Sequence, residues 1–159
     1  MALENLVAKG AGPYDVRASH GLGADVKGWS RTLEASAAAN INSTYDMGYI
    51  PTNARIMGLS RFSFDAVGGA GILADIGLIA VDNNMAANDP DALNDSIAAN
   101  AAGGAQVIKD VANYGKPAWQ FVLPALTSDP GGMFLVRITT RGAAGTGGTL
   151  TLEMAFTVP

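Results

Sequence analysis

Few side chains in this 159-residue sequence have the chemistry that catalysis or metal binding requires. His20 is the only histidine, there is no cysteine, and the only glutamates are Glu4, Glu34 and Glu153. A serine-type nucleophile needs a histidine held on a rigid scaffold beside a carboxylate, and a zinc site needs several His or Cys ligands. His20 lies in a glycine-rich segment without periodicity, which is a poor scaffold. We therefore predict that the chain is not an enzyme and takes no cofactor or catalytic metal.

Two glycine-containing motifs come close to nucleotide-binding patterns. Residues 69–74 match the letters of the dinucleotide fingerprint, but that fingerprint needs a following helix whose N-terminus holds the pyrophosphate. A second β-like run follows instead. Residues 114–117 resemble the end of a phosphate loop, but Asp110 stands where that loop needs glycine, and Pro117 occupies the Ser/Thr position. Both motifs are predicted to be turns.

Residues 82–95 contain many oxygen-bearing side chains that calcium could use. The helix–loop–helix calcium motif needs alternating ligands, a central glycine and a distal glutamate, and this spacing is absent here. Turns and caps explain the residues better, and an irregular calcium site stays open as the alternative. The residues are Asp82, Asn83, Asn84, Asn88, Asp89, Asp91, Asn94 and Asp95.

Composition limits the partners. The net charge is −4 and the ten basic residues are scattered, so binding to nucleic acid or to an anionic membrane surface is not expected. No apolar stretch approaches the ~18 residues of a membrane-spanning helix, and the N-terminus lacks a signal-peptide pattern. The charged share is only 15%. A low charge density suits a chain that buries part of its surface against other chains, because interface cores are depleted in charge.

The C-terminal third carries the clearest strand pattern. Phe134, Val136 and Ile138 alternate with polar residues, and so do the apolar residues at every second position from 150 to 158. A period of two indicates half-buried strands. Because a glycine-rich turn at 142–148 joins the two runs, they are predicted to form an antiparallel hairpin.

Further strands are predicted upstream of this pair. They cover residues 29–38, 41–50, 55–67, 72–81 and 116–123, and the run 72–81 is apolar on both faces, as a central strand would be. Tyr45, Met47 and Tyr49 are expected to share one face of their strand. Pro90 at a first turn, with apolar spacing through Leu93 and Ile97, predicts a short helix over residues 90–98.

These elements predict an all-β protein. The expected fold is an antiparallel β-sandwich or jelly roll of about seven or eight strands, with one short helical excursion. Residues 29–159 form the sandwich domain, and residues 1–28 form an extended N-terminal arm, since this segment is too poor in apolar residues to fold alone.

Seven residues are candidates for contact with a partner chain. The arm has isolated apolar residues that must find cover elsewhere, and exposed amphipathic aromatics can anchor a protein partner or stack on a sugar. Core packing is the competing interpretation for the aromatics, Trp119 included. The candidates are Leu3, Leu6, Val7, Tyr14, Trp29, Tyr45 and Tyr49.

Several short motifs resemble those of small head proteins of tailed phages. Residues 50–58, Ile-Pro-Thr-Asn-Ala-Arg-Ile-Met-Gly, are similar to the strand entry of that family, and residues 76–82 resemble its strand ending in Asp. Residues 91–95, Asp-Ala-Leu-Asn-Asp, resemble its Asp-Ala-Leu excursion. The Ala-Gly-Thr turn within 143–151, before a last apolar strand, is also similar. The resemblance covers residues 30–159 and leaves the glycine-rich N-terminal segment unmatched.

This resemblance implies a capsid decoration or cement protein. Its partners would be the major capsid protein and further copies of itself, with a trimer as the expected oligomer. It would be made in the cytoplasm of the host bacterium and would lie on the capsid exterior of the virion. Two alternatives stay open: a carbohydrate-binding β-sandwich with an exposed Trp29 or Trp119, and another virion component such as a head fibre, collar or tail protein.

Overall fold

The computed structural model describes residues 5–7, 17–18, 26–37, 39–81 and 88–159. Within these ranges the regular secondary structure is almost entirely β-strand, which confirms the predicted fold class. The helical content is one 3-10 turn at Val111–Asn113 and the single-turn helix α1 at Trp119–Val122. The strands are β1 Asn5–Val7, β2 Arg17–Ala18, β3 Val26–Ala35, β4 Thr44–Pro51, β5 Arg55–Ile56, β6 Arg61–Phe64, β7 Leu73–Ala80, β8 Asn88–Ala98, β9 Gly103–Gln106, β10 Met133–Arg141 and β11 Gly148–Thr157.

The strands form two sheets that pack face to face. Sheet I has the order β1-β4-β10-β7-β8, and sheet II has the order β2-β3-β11-β6-β9, with the short β5 also pairing with β11. The pairings are antiparallel except that of β1 with β4, which is parallel. The architecture is therefore a β-sandwich.

Alternating side chains of both sheets fill the space between them. On β10, Phe134, Val136 and Ile138 are fully buried, and Arg137 and Arg141 lie on the opposite face. On β11 the buried side chains are Leu150, Leu152, Met154 and Phe156. The period-two pattern in the sequence thus identified the core faces of both strands correctly.

The predicted hairpin between these two strands is wrong, because they belong to different sheets. β10 pairs with β4 and β7, and β11 pairs with β3, β5 and β6. The glycine-rich connection at 142–147 crosses from one sheet to the other. Gly142 and Gly147 have φ values of +85° and +89°, a region that glycine occupies without strain.

The helix predicted over residues 90–98 is also wrong: this segment is the edge strand β8. Two irregularities in its pairing with β7, around Asp75 and around Gly77, spread its apolar residues so that their spacing mimics a helix. At the second irregularity the backbone of Pro90 lies directly on Gly77, where a Cβ would be 2.3 Å from the Pro90 carbonyl carbon. Ser96 takes a positive φ of 61° at the first.

The segment 116–123 forms the one-turn helix α1 and not the predicted strand. The amides of Ala118 and Trp119 donate to the carbonyls of Ala54 and Thr52, at 2.8 and 2.9 Å. These bonds fasten the segment across the turn that follows β4. Tertiary hydrogen bonds therefore overrode the β-propensity of the sequence.

The long strand predicted over residues 55–67 is divided into β5 and β6. Met57 donates its amide to Ala155 O, and the buried Ser60 hydroxyl both donates to Ala155 O and accepts from Ala155 N, at 3.0 and 2.9 Å. A serine side chain thus replaces a stretch of backbone pairing. The apolar side chains Ile56, Phe62 and Phe64 of the two strands are all buried.

Tyr45, Met47 and Tyr49 do not share one face of β4 as predicted. The pairing with β10 shifts between Val136 and Arg137, so that Met47 is an extra residue on β4. This bulge reverses the alternation beyond it. Ile50 is buried, and Tyr49 lies half-exposed on the outer face.

The N-terminal segment contributes to both sheets on the same side of the sandwich. β1 pairs with β4 and β2 pairs with β3, and β3 and β4 face each other across the core, where the Trp29 indole lies against Gly48. Strand β3 begins at Val26, so residues 26–28, assigned to the arm from the sequence, belong to the sandwich.

Candidate functional site

Two of the seven predicted contact residues are core residues. Trp29 is 7% exposed and Tyr45 is 1% exposed, so neither can anchor a partner on the surface of this chain. The Trp29 indole donates its Nε1–H to Tyr49 O at 3.0 Å across the two sheets. Core packing, the competing interpretation of these aromatics, is therefore correct for both.

The arm candidates are only partly described. Leu6 and Val7 belong to β1, whose backbone pairs them with Tyr45 and Asp46. Leu3 and Tyr14 lie outside the described residues, as does His20. The side chains of this segment therefore add no geometry to a site.

Tyr49 lies in an apolar patch on the outer face of sheet I. Leu135 on β10 is directly opposite Tyr49 on β4 and Ile79 on β7. Met133 lies on the same face of β10, two residues before Leu135. Val81 donates its amide to Met133 O at 3.2 Å and is 45% exposed. We call Tyr49, Ile79, Val81, Met133 and Leu135 the sheet I patch.

Sequence reasoning found Tyr49 but missed the rest of this patch. Ile79 and Val81 could have indicated the patch, because the outer face of a strand that is apolar on both faces must also be shielded from water. Leu135 interrupts the alternation of β10 in the same way. A strand buried on both faces within its own chain has the same composition as a strand with an apolar surface patch, so only the structure distinguishes them.

Two aspartate–arginine pairs continue the outer face of sheet I beyond the patch. Asp46 on β4 accepts from Arg137 Nε and Nη2 at 2.5 and 3.1 Å. Both residues are largely shielded from solvent, with side-chain exposures of 11% and 24%. A bidentate pair of this kind is geometrically specific, and it leaves neither group free as an acid, base or nucleophile.

Asp75 on β7 is the centre of the second pair. It bonds the Arg141 guanidinium through both carboxylate oxygens, and its Oδ1 also accepts from the Ser96 amide at 2.7 Å. Arg141 Nη2 reaches the Ser96 hydroxyl at 2.7 Å. The hydrogen bond that Arg141 donates to Asp75 raises the pKa of Arg141. One carboxylate thus holds together β7, β8 and β10.

The acidic residues of β8 do not assemble a metal site in the described part of the chain. No group of three or more His, Asp or Glu residues there is close enough to hold an ion. A hydrogen bond from Lys109 lowers the pKa of Asp95, and a hydrogen bond with Asp89 raises the pKa of Asp91. Asp82, Asn83 and Asn84, also counted as possible calcium ligands, lie outside the described residues.

A groove of about 610 Å³ lies at the end of the sandwich where β4 leads into β5. It is formed by the turn after β4, the start of β5, the segment around α1 and the following loop. Trp119, 6% exposed, lines it without offering an open ring face. The other lining residues are Asn53, Arg55, Tyr114, Gly115, Lys116, Pro117, Gln120, Thr127, Ser128, Asp129 and Pro159. Sequence reasoning singled out Trp119 and residues 114–117 among the groove residues, and it predicted the latter to be a turn.

The outer face of sheet II is polar. Thr32 and Thr151 share a hydrogen bond of 2.9 Å between their hydroxyls, and Thr149 donates to Glu34 at 2.7 Å. Exposed Arg61 and Glu153 lie opposite each other on β6 and β11. The two outer faces of the sandwich therefore differ, since only that of sheet I carries the apolar patch.

No helix in the described ranges is long and apolar enough to cross a membrane. Comparison of the sequence with protein families and curated proteins, and of the fold with solved structures, finds no match.

Proposed function

We propose that this chain is a structural virion protein that binds the outer surface of a phage capsid and stabilises the head lattice. The sequence resemblance points to this role, and the sheet I patch is the structural observation that supports it. Val81 is exposed, and Tyr49, Ile79 and Met133 are half-buried around the buried Leu135. Contiguous apolar side chains that reach the surface mark a place that another protein can cover, and tyrosine is enriched among residues that dominate binding. We assign this patch to the contact with the major capsid protein.

The rest of the molecule supports a role in binding. Two of its carboxylates are bonded to arginines, in the pairs Asp46–Arg137 and Asp75–Arg141. These pairs join neighbouring strands of sheet I beside the patch. A ligand that binds only the assembled lattice stabilises it by mass action. Joining several copies, as in the trimer we propose, adds avidity through effective concentration.

The N-terminal segment is the second element of the proposed contact. Residues 5–7 and 17–18 extend the two sheets at one side through backbone pairing over three and two residues. Pairing over so few residues is weak in isolation. We propose that residues 1–25 contact the capsid or a neighbouring copy.

The test combines this chain with capsids assembled from the major capsid protein of the phage proposed to encode it. Co-sedimentation should give saturable binding, and electron microscopy should place density at fixed lattice positions on the outside. Val81→Asp puts a charge at an exposed position of the patch and should weaken binding at least about tenfold, the equivalent of about 1.4 kcal/mol. Glu153→Gln, on the opposite face of the sandwich, is the matched control and should bind normally.

Failure of the unaltered chain to sediment with these capsids would contradict the proposal. Equal binding of Val81→Asp and the unaltered chain would remove the patch from the contact. Deletion of residues 1–18 tests the arm separately. The remaining sandwich should keep its β-type circular dichroism and lose affinity for capsids, and normal decoration by the truncated chain would show that the arm has no part in it.

A further inference from the structure

The groove beside α1 lies outside the surface that we assign to the capsid contact. It shares no residue with the sheet I patch, and its volume lies within the range of pockets that bind small molecules. Its lining is divided about equally between polar and apolar surface. The polar side chains are two cations, one carboxylate, two amides, two aliphatic hydroxyls and one phenol. The question is which ligand chemistry these groups fit.

Among the described residues, no carboxylate lies within ion-pairing distance of either cation at the groove. Arg55 donates to Gly115 O, and Lys116 donates to Asn113 Oδ1 at 2.6 Å, so both are oriented by neutral oxygens. Neither takes part in an ion pair among the described residues, unlike Lys109, Arg137 and Arg141. Asp129 also lines the groove, and its carboxylate accepts from the Gly131 amide at 3.0 Å. The side chains of the groove therefore include two cations and one carboxylate, and neither cation is ion-paired with it.

Four neutral polar side chains add unused hydrogen-bonding capacity. Asn53, Gln120, Thr127 and Ser128 line the groove, and within the described ranges their side chains have no protein partner. Amides and hydroxyls offer donors and acceptors together, which matches a ligand that has many hydroxyl groups. The half-exposed Tyr114 adds an apolar surface with a polar tip.

The walls of the groove are fixed before a ligand arrives. The bonds from Ala118 to Ala54 and from Trp119 to Thr52 tie α1 to the turn after β4, and Thr52 donates to Gly132 O at 3.1 Å. An extended peptide has no strand edge to join here, because Arg55 pairs with Thr157 on one side and bridges to Pro117 on the other. Strand addition, the commonest mode of binding an extended peptide to a sheet, is thereby blocked.

We infer that this groove binds an acidic oligosaccharide, with Arg55 and Lys116 taking its carboxylate and the four neutral side chains taking its hydroxyls. This activity is independent of the proposed capsid contact. It also differs from the carbohydrate alternative drawn from the sequence, which needed an exposed tryptophan, because recognition here rests on charge and hydrogen bonds.

Isothermal titration calorimetry of the full chain with trigalacturonic acid tests the inference, with maltotriose as the neutral probe and hexaglutamate as the acidic peptide. The acidic sugar should bind saturably and at least about tenfold more tightly than either of the other two, as a charge-assisted hydrogen bond would give. Lys116→Gln should weaken binding about tenfold, and so should Asn53→Ala combined with Gln120→Ala. Lys109→Gln, the control cation outside the groove, should not change it.

Absence of saturable binding of trigalacturonic acid would overturn the inference, and so would hexaglutamate binding as tightly as the sugar. Amide chemical shifts provide a second readout that does not depend on binding heat. Changes should concentrate at residues 53–55, 114–120 and 127–129, and changes confined to other surfaces would equally reject the site. Capsid binding of the Lys116→Gln variant should be normal, so the two proposals can fail separately.

Discussion

Gly48 on β4 lies directly beneath the indole of Trp29 on β3. A Cβ at Gly48 would be 2.8 Å from Trp29 Cζ2 and 2.9 Å from Cε2, closer than real contacts allow. The indole Nε1–H donates to the carbonyl of the next residue, Tyr49, at 3.0 Å. The absence of a side chain at Gly48 therefore lets one aromatic residue join the two sheets by packing and by a hydrogen bond.

We expect Gly48→Ala to destabilise the fold by about 1–3 kcal/mol, the usual cost of overpacking a core. Trp29→Leu should cost about 2–4 kcal/mol through lost burial and the unpaired Tyr49 carbonyl. Because the smaller side chain makes room for the new methyl group, the double variant should cost clearly less than the sum. Urea unfolding followed by circular dichroism measures all three, and additivity within about 0.5 kcal/mol would mean that the two positions are not coupled.

Gly77 is a second position where only glycine fits. Its neighbour is the backbone of Pro90 and not a flexible side chain, so Gly77→Ala must displace β8 from the sheet. We expect a loss of about 3 kcal/mol or more in the free energy of unfolding. Gly69→Ala is the matched control, since nothing lies within 4 Å of a Cβ there, and it should be close to neutral. Equal effects of the two substitutions in thermal unfolding would refute this account of the β7–β8 pairing.

Asp75 is expected to stabilise the edge of sheet I through its bonds to Arg141 and Ser96. Asp75→Asn keeps an oxygen for the Ser96 amide but places an amide donor against the guanidinium. The expected loss is about 1–3 kcal/mol, the range for a donor left without its partner. Asp65 is exposed and directly follows β6. As the control, Asp65→Asn should change the free energy of unfolding by less than about 0.5 kcal/mol.

Native-state hydrogen exchange gives the local readout for Asp75→Asn. The Ser96 amide should exchange faster in this variant. The exchange rates of amides in the centre of β10 should change only as much as the global free energy of unfolding changes. Unchanged protection at Ser96 would show that Asp75 does not hold β8 in place.

The pair Asp89 and Asp91 predicts a pH-dependent stability. The pKa of Asp91 is raised above its usual 3.8 by a hydrogen bond with Asp89, by burial and by the negative charge of Asp89. The folded state therefore keeps the Asp91 proton to higher pH than the unfolded state does. Stability falls as pH rises from about 3.8 through the raised pKa, and the full cost remains at neutral pH.

Asp89→Asn should relieve this cost. We expect the pKa of Asp91 to fall towards 3.8 and the variant to be more stable than the unaltered chain at neutral pH, with the difference vanishing below about pH 3.8. Urea unfolding at a series of pH values and NMR titration of the Asp91 carboxyl measure the two effects. A stability difference that is the same at every pH would rule out this coupling.

The sequence by itself determined the class of the fold and the inner faces of its main strands. Alternation at Phe134, Val136 and Ile138, and again from Leu150 to Phe156, predicted which side chains are buried, because a strand turns successive residues to opposite faces. The apolar character of β7 was equally a local property. Each of these predictions needed only the chain within a few residues of the feature.

The tertiary structure decided which strands pair and which surfaces stay open. β10 and β11 enter different sheets, β8 is a strand despite helical spacing, and Met47 bulges so that Tyr49 turns outwards, because contacts between residues distant in sequence fix each of these. The sheet I patch and the groove arise in the same way, from Tyr49, Leu135 and Ile79 on three strands and from four separate segments around Arg55. Local periodicity indicates which side chains of a strand are buried. It does not indicate which strand lies beside it. A site formed by residues of several strands therefore cannot be predicted until the pairing of those strands is known.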